Sequence, residues 1–306
     1  MNEVSRKILE QVNSVIIGKE AVTEKVLMAV LAQGHVLLED VPGVGKTTMA
    51  LAFARTLGLD SRRVQFTSDT MPSDIIGFSL YNKETGRFDY KSGAVMTNLL
   101  LADEINRTSS KTQSALLEAM EEYQVTVDGH TYPLPKPFVV LATQNPVGSA
   151  GTQLLPSSQL DRFMIRTTMG YPDRQSQVDI LRERHHENPL DRLQGVVTCE
   201  ELLELIESAK QVHIADAVYD YIVDLVDATR SSELVELGVS PRGALALCRM
   251  AKAHAFVRGG DFVTPEDVYQ VFDDVCAHRL VLSAKARLGK ITAREITEQL
   301  RQQVPV

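Results

Sequence analysis

One short stretch combines glycines, a lysine and threonines at the spacing of a phosphate-binding loop. It reads LLEDVPGVGKTTMALA and runs from Leu37 to Ala52. Such a loop turns backbone N–H groups toward phosphate oxygens, and the dipole of the following helix adds positive potential. Lys46 is expected to reach the β- and γ-phosphates, and the Thr47 hydroxyl to bind Mg²⁺. The residues predicted to bind nucleotide here are Pro42, Gly43, Val44, Gly45, Lys46, Thr47 and Thr48.

The same stretch departs from the usual pattern at Asp40, where a glycine is expected five places before Gly45. A glycine at the end of the strand eases the turn but makes no obligatory phosphate contact. We therefore expect nucleotide binding to survive, provided that the Asp40 carboxylate points away from the phosphates. The alternative is a glycine-rich turn that happens to precede a lysine.

Two adjacent acids, Asp103 and Glu104, close an apolar run over residues 98–104. Because side chains alternate along a strand, the two carboxylates are expected to serve different tasks. Asp103 would hold Mg²⁺ through water, and Glu104 would polarise the attacking water in line with the γ-phosphate. The alternative is that the pair only caps a helix over residues 108–122.

Asn145 closes another apolar run, residues 138–146, at the position where a parallel sheet presents its ligand-binding edge. An amide at that edge can orient the attacking water, so Asn145 is a candidate catalytic residue. The alternative is a simple turn, since Asn-Pro pairs are common in turns.

These residues need a sheet that brings several strand ends together. Short apolar runs alternate with helical patterns through the first half of the chain, and this alternation predicts an α/β fold with a parallel five-stranded sheet between helices. The runs cover residues 35–40, 63–68, 98–104, 138–145 and 163–169. We predict β-hairpins over two further stretches, residues 79–90 and 125–132. The second hairpin is expected to turn at Asp128-Gly129.

The second half of the chain shows only helical periodicity. Apolar residues recur at three- and four-residue spacing over residues 200–210, 217–230, 241–257 and 265–278. We therefore predict a nucleotide-binding αβα domain with two hairpin inserts over residues 1–172, followed by a smaller all-helical domain over residues 173–306. One helical segment carries three basic side chains, those of Lys252, His254 and Arg258. In an acidic chain this pattern predicts a solvated face and not a nucleic-acid site.

Composition narrows the functional class. The 306 residues carry a net charge of −8, with 44% hydrophobic and 24% charged residues, which is typical of a soluble globular protein. An acidic chain is not expected to bind nucleic acid or anionic membranes non-specifically. No apolar run is long enough to span a bilayer, and the three cysteines lack the spacing of a zinc site. We expect a cytoplasmic protein with buried thiols.

Five motifs follow one another along the chain: the phosphate loop, ADEINR, ATQNP, LDRF and SPRG. Their order resembles that of the MoxR family of AAA+ ATPases. The resemblance extends from about residue 15 to the last helix and implies an AAA+ core followed by an all-α lid, with ATP and Mg²⁺ as cofactors. It also implies that Asn145 is the sensor-1 residue. The segment that ends in Ile17 and Gly18 resembles the one that lines the adenine of ATP in AAA+ proteins. The two predicted hairpins match inserts found in the MoxR branch of these proteins.

Two arginines receive roles from the same resemblance. Arg162, in LDRF, matches the arginine finger that reaches the γ-phosphate of the neighbouring subunit, and Arg242, in SPRG, matches sensor 2 acting on the nucleotide of its own subunit. Arginine suits both roles, because its planar fork matches phosphate oxygens. The alternatives are that Arg162 is a surface partner of Asp161 and that Arg242 only caps a helix.

The resemblance implies a ring-shaped homo-oligomer, a hexamer, that acts as a chaperone and matures or activates protein clients. Partners of the family commonly carry a von Willebrand factor A domain. The main alternative is a nucleic-acid-associated motor or transcription-activating ATPase, which the absence of a helix-turn-helix and of a basic stripe disfavours. A GTPase-type switch is disfavoured too, because Asn82-Lys83-Glu84-Thr85 lacks the final acid of a guanine-specific segment.

Overall fold

A five-stranded parallel sheet forms the centre of the amino-terminal part of the protein. The computed structural model describes residues 1–41, 43–144, 155–183 and 189–305. Every neighbouring pair in the sheet is parallel. In spatial order, the strands are β2 (Ser61–Gln65), β5 (Leu99–Asp103), β8 (Val139–Gln144), β1 (Val36–Glu39) and β9 (Ile165–Thr167). The predicted sheet is therefore confirmed.

Successive residues of the inner strands bury their side chains on opposite faces of the sheet, as strand geometry requires. In β5, Leu100 and Ala102 pack with α5 (Ser110–Glu122), whereas Leu99 and Leu101 join the core on the other face. The remaining helices of this part are α1 (Glu3–Asn13), α2 (Glu20–Leu31), α3 (Lys46–Thr56), α4 (Pro72–Ile76) and α6 (Ser157–Leu160), with a 3₁₀ turn over Ile105–Arg107.

Both predicted hairpins are present. The first pairs β3 (Gly77–Asn82) with β4 (Arg87–Ser92), and the second pairs β6 (Gln124–Val127) with β7 (His130–Pro133). At the second turn Asp128 and Gly129 both have positive φ, 49° and 79°, as a type I′ turn requires. Tyr90 stacks on Tyr132 with ring centroids 4.0 Å apart, so the two hairpins contact each other.

The carboxy-terminal part is helical apart from one short ribbon. Its helices are α7 (Arg174–Glu183), α8 (Cys199–Lys210), α9 (Asp216–Ser231), α10 (Pro241–Arg258), α11 (Pro265–Cys276), α12 (Ala284–Leu288) and α13 (Ala293–Gln303). Two 3₁₀ turns cover Pro189–Arg192 and Ala277–Arg279, and a ribbon pairs β10 (Val235–Leu237) with β11 (Val281–Leu282). The predicted αβα core with a helical lid is confirmed, and the ribbon was missed because such short strands show no periodicity.

The boundary near residue 172 stays a prediction. It falls between the end of β9 and the start of α7. One continuous apolar core includes residues of α1 and α3 and residues of α8 to α11, so packing continues across this point. Among the described residues no helix is long and apolar enough to cross a membrane.

The prediction of buried thiols is right for only one cysteine. Cys276 is buried, and burial raises the pKa of its thiol to about 12. Cys199 and Cys248 are partly exposed. Sequence spacing excluded a zinc site but carried no information on which side of its helix each thiol lies.

A buried carboxylate joins α10 to α11. Asp267 is fully buried and accepts hydrogen bonds from His254 at 2.7 Å and from the Thr264 hydroxyl at 2.6 Å, and it forms an ion pair with Arg258 at 2.8 Å. Lys252 donates to the carbonyl of Lys210 at 2.9 Å. Arg258 is exposed but Lys252 and His254 are half-buried, so the predicted solvated face is right only in part, because periodicity shows which residues share a face but not what packs against it.

The Asp267 cluster predicts a pH-dependent stability. Burial raises the pKa of Asp267, but the bonds from His254 and Thr264 and the charge of Arg258 outweigh it and lower the pKa from 3.8 to about 2. A group with a depressed folded pKa stabilises the fold above its unfolded pKa and loses that contribution as the pH falls toward the folded pKa. Asp267→Asn should therefore lower the free energy of unfolding by about 2 kcal/mol at pH 7 and by about half of that at pH 3.

Urea denaturation at the two pH values measures this difference. Asp227→Asn is the matched control, since Asp227 pairs with Arg230 on an exposed surface and should change little. An Asp267→Asn difference that stays constant between pH 7 and pH 3 would contradict the assignment.

Candidate nucleotide site

The predicted phosphate loop follows β1 directly and leads into α3. Gly43 and Gly45 have φ of 87° and 98°, in the left-handed region that favours glycine. A Cβ built on Gly43 would meet no atom within 4 Å, so the requirement there is conformational and not steric. Gly45 is the N-cap of α3 and has no side chain to occupy the N–H groups of the first turn, which leaves them available to an anion. Pro42 lies outside the described residues.

Lys46 begins α3 and lies over the loop. Its side chain is buried, and Nζ donates to the carbonyl oxygen of Asp40 at 2.8 Å and to that of Val41 at 3.3 Å. Burial lowers the pKa of Lys46, and the carboxylates of Asp40, Asp103 and Glu104 partly oppose this shift. The structure thus brings the lysine and the two predicted acids into one electrostatic neighbourhood.

Asp40 resolves the departure from the usual loop pattern. Its buried carboxylate accepts hydrogen bonds from the backbone N–H groups of Met169 and Gly170, the second at 3.0 Å. These residues follow β9, so the side chain links the carboxyl ends of β1 and β9. Both carboxylate oxygens of Asp40 are therefore engaged by backbone N–H groups that follow β9, which fits a structural role for this side chain.

Asp103 ends β5 and is held by a residue of the next strand. Its Oδ1 accepts from the hydroxyl of Thr143 at 2.6 Å, and its Oδ2 forms an ion pair with Arg63 at 2.8 Å. The Thr143 oxygen also accepts from the backbone N–H of Glu104 at 2.9 Å. Thr143 is fully buried in β8, so one hydroxyl fixes the relative positions of both acids.

Glu104 has an unusual backbone conformation for a residue with a side chain. Its φ of 58° places it in the left-handed region, which is sparsely populated outside glycine and is often found at functional sites. Its Oε2 accepts from Gln65 at 2.8 Å and from Arg107 at 2.8 Å. The carboxylate is therefore oriented by groups on both sides.

The helix-capping alternative for the two acids is wrong. The helix after them, α5, begins at Ser110, and Ser109 is its N-cap, with a hydroxyl that accepts from the Thr112 N–H at 3.3 Å. Asp103 and Glu104 instead bond to neighbouring strands. The catalytic roles of the two acids stay predictions.

Sequence reasoning missed Gln65, Thr143 and Arg107. Gln65 is the last residue of β2 and lies opposite Asp103 in the parallel register. A search for polar residues at the ends of neighbouring strands would have found Gln65 and Thr143, because those ends meet at one edge of the sheet. Their pairing with particular acids depends on strand order, which the sequence does not state.

The predicted metal ligands suit Mg²⁺. Thr47 and Asp103 supply a hydroxyl and a carboxylate, which are hard oxygen donors, and Mg²⁺ commonly takes one or two protein ligands together with substrate phosphates. Across the described parts of the chain, no group of three or more His, Cys, Asp or Glu residues is arranged to hold a metal alone. The donor set therefore fits a cation that arrives with a phosphate ligand. Asn145 lies outside the described residues.

Arg162 and Arg242 lie together at the other edge of the sheet. Arg162 Nε donates to Glu121 Oε2 at 2.9 Å, and Arg242 Nη1 donates to Glu121 Oε1 at 3.0 Å. Arg162 precedes β9, and Arg242 shares a cavity of about 380 Å³ with Gly34 and His35, which precede β1. Both guanidinium groups are therefore at the amino ends of the strands, opposite the phosphate loop.

This placement corrects two expectations. Arg242 does not face the phosphate loop of its own chain, because α10 packs over the amino end of β1 and not over its carboxyl end. Arg162 pairs with Glu121, so the alternative of a surface pair with Asp161 is wrong. The motif did not show which edge of the sheet the two arginines occupy, and their roles toward a nucleotide stay predictions.

The predicted adenine-lining segment lies beside α7. Gly18 has a φ of 70°, and a Cβ built on it would lie 2.2 Å from the hydroxyl oxygen of Ser176. Ile17 and Gly18 are partly exposed, so a ligand could reach them. Their role in binding adenine stays a prediction.

Comparison with known proteins agrees with this geometry. Residues 35–165 match the model of the ATPase family associated with various cellular activities (AAA), and residues 227–300 match the AAA lid domain. The chain is 46% identical to YeaC, an uncharacterized protein of Bacillus subtilis, over 98% of this chain and 94% of that protein. It is 40% identical to the chaperone MoxR1 of Mycobacterium tuberculosis, over 99% and 82% of the two chains.

A crystal structure of a Cytophaga hutchinsonii protein superimposes with a TM-score of 0.91 at 39% identity. The match covers 98% of this chain and 94% of the other. The similarity therefore includes the core and the helical lid together.

The orientation of Asp40 predicts that its substitution affects folding more than nucleotide binding. Asp40→Asn should lower the free energy of unfolding by about 1–3 kcal/mol, because a buried N–H group loses its acceptor. The dissociation constant for ATP should change by less than about tenfold, since the carboxylate does not face the phosphates. Urea denaturation and calorimetric titration measure the two quantities.

Asp69→Asn is the matched control, since Asp69 is an exposed acid and should change neither value. A gain in ATP affinity far above tenfold at unchanged stability would mean that the Asp40 carboxylate faces the phosphates.

Proposed function

Because the chain belongs to the MoxR family of AAA+ ATPases, we propose that it is a Mg²⁺-dependent ATPase that works as a hexameric ring and remodels or activates protein partners. One observation carries this proposal. The phosphate loop and its acids lie at the carboxyl ends of the strands, whereas Arg162 and Arg242 lie at the amino ends. One chain thus holds two half-sites that face away from each other, and a second copy is needed to complete a site.

The loop edge is the edge of the sheet at the carboxyl ends of the strands. There the phosphates are bound by Lys46 and by the backbone N–H groups at the start of α3. Glu104 accepts a proton from the attacking water, and the bonds from Gln65 and Arg107 hold its carboxylate in one orientation. Thr47 and Asp103 would hold Mg²⁺, and a bound Mg²⁺ would supply positive charge that offsets the charge of the phosphates. Asn145 is proposed to orient the same water.

The arginine edge is the opposite edge of the sheet, where Arg162 and Arg242 lie. There the neighbouring subunit's nucleotide replaces Glu121 as the partner of both arginines. The two ion pairs with Glu121 are partly exposed, and such pairs contribute only about 0–1 kcal/mol. A triphosphate carries more charge and can accept bidentate hydrogen bonds, so it competes well for the guanidinium groups. We propose that Arg162 and Arg242 both act in trans, in contrast to the cis role that the motif implied for Arg242.

A protein partner is supported by the first hairpin. It exposes apolar side chains on both strands, and exposed apolar patches commonly mark interaction sites. These side chains are Phe78, Leu80, Tyr81 and Phe88, each about half exposed or more. Contact with the second hairpin through Tyr90 and Tyr132 gives a route by which movement of the core could reach a client. A von Willebrand factor A domain protein is the proposed class of partner.

The proposal predicts a pattern of complementation between variants. Glu104→Gln should retain ATP binding and hydrolyse ATP about 10²–10⁴-fold more slowly, because the general base is lost. Arg162→Ala should also bind ATP but lose most hydrolysis. In a 1:1 mixture about one quarter of interfaces combine an intact Glu104 with an intact neighbouring Arg162, so about a quarter of wild-type activity should return.

A coupled ATPase assay on the mixture, with ATP binding measured in parallel, tests this. Lys46→Ala is the control that should lose binding itself. A mixture that stays inactive although both variants bind ATP and form the same oligomer as wild type would contradict the trans arrangement.

A further inference from the structure

Arg279 contacts the backbone on both sides of Arg162. It ends the 3₁₀ turn that follows α11, and its side chain is buried. Nη2 donates to the carbonyl oxygen of Phe163 at 2.7 Å and to that of Asp161 at 3.3 Å. Nη1 donates to the carbonyl oxygen of Met164 at 3.2 Å. One guanidinium from the helical lid thus holds the segment that carries the predicted finger.

The side chain of Asp161 adds a second link to the lid. Its Oδ1 accepts from Arg279 Nε at 2.8 Å, and its Oδ2 accepts from the hydroxyl of Ser240 at 3.1 Å. Ser240 is the N-cap of α10 and stands two residues before Arg242. Arg279 and Ser240, both from the lid, therefore bind one carboxylate, which belongs to the residue just before Arg162.

We infer that Arg279 is a positioning residue for Arg162 and that it links the finger to the orientation of the lid. This inference rests on the proposed function, in which Arg162 acts on the neighbour's nucleotide. The donors of the buried Arg279 side chain are committed to Asp161, Phe163 and Met164, so its effect on that nucleotide passes through Arg162. Movement of the lid would shift the Arg162 backbone with it.

The chemistry of the contacts favours positioning over simple stabilisation. A buried ion pair adds little net stability, since desolvation of both charges offsets their attraction. Arginine is suited to this place by its rigid fork, which donates in several fixed directions at once. A lysine could keep the charge near Asp161, but its three N–H donors could not replace the bonds that Arg279 makes to the Asp161 carboxylate and to the carbonyl oxygens of Asp161, Phe163, Met164 and Val275.

The first test compares the same conservative substitution at two arginines of the lid. Arg279→Lys should lower kcat by about 10²-fold, the cost of misplacing a catalytic group by about an ångström, and leave ATP affinity within twofold. The matched control is Arg301→Lys. Arg301 pairs with Asp273 at 3.1 Å inside the lid and has a side-chain exposure of 19%, but its contacts are with lid residues. It should retain hydrolysis.

The second test assigns the defect to one side of the interface. Arg279→Lys mixed with Glu104→Gln should recover about a quarter of wild-type activity, because the Glu104→Gln subunits supply an intact finger. Arg279→Lys mixed with Arg162→Ala should recover none, because both defects lie on the same side. A protein that has only lost stability would not show this selective recovery.

The outcomes separate this inference from the proposed function. If Arg162→Ala and Glu104→Gln complement but Arg279→Lys and Glu104→Gln do not, the positioning role is overturned and the trans mechanism stands. If neither mixture recovers, the trans mechanism itself fails. Should Arg279→Lys not fold, Asp161→Asn takes its place, with a smaller loss of kcat expected and the same complementation partners. Normal hydrolysis by both variants would also overturn the inference.

Discussion

All five strands of the sheet run in the same direction, and this polarity separates the two groups of residues that are proposed to form the catalytic site. The carboxyl ends of β1, β5 and β8 collect the phosphate loop, Asp103 and the Thr143 that holds it. The amino ends collect Arg162 and Arg242 around Glu121. Groups at opposite edges of a packed sheet cannot meet within one chain, so assembly is a condition of the proposed chemistry and not an addition to it.

At each edge of the sheet, polar side chains hold the residues that are proposed to act on the nucleotide. At the loop edge, Asp40 bonds to the chain after β9 and Thr143 bonds to both acids. At the arginine edge, Glu121 and Asp161 hold the arginines or the backbone beside them. The contacts of Asp40, Thr143 and Asp161 are buried or partly buried, where an unpaired group would be costly, and they therefore fix geometry more than they add stability.

Much of this arrangement could be predicted from the sequence. Strand and helix periodicity located the sheet and the helical lid, and the loop motif placed Lys46 beside the acids. What could not be predicted depends on contacts between distant segments. The direction of the Asp40 carboxylate is set by Met169 and Gly170, and the position of Arg242 is set by the packing of α10 over the start of β1. No sequence motif marks Arg279, because the carbonyl groups at residues 161–164 to which it donates lie more than a hundred residues away in the chain.

The most direct test of the central claim is specific ATPase activity against protein concentration, with molar mass measured by light scattering in the same samples. If the two half-sites of one chain are completed only by a neighbour, activity per subunit should rise as the oligomer assembles, and dilution below the assembly range should abolish it. Constant activity per subunit from monomer to oligomer would show that one chain hydrolyses ATP alone and would contradict the account.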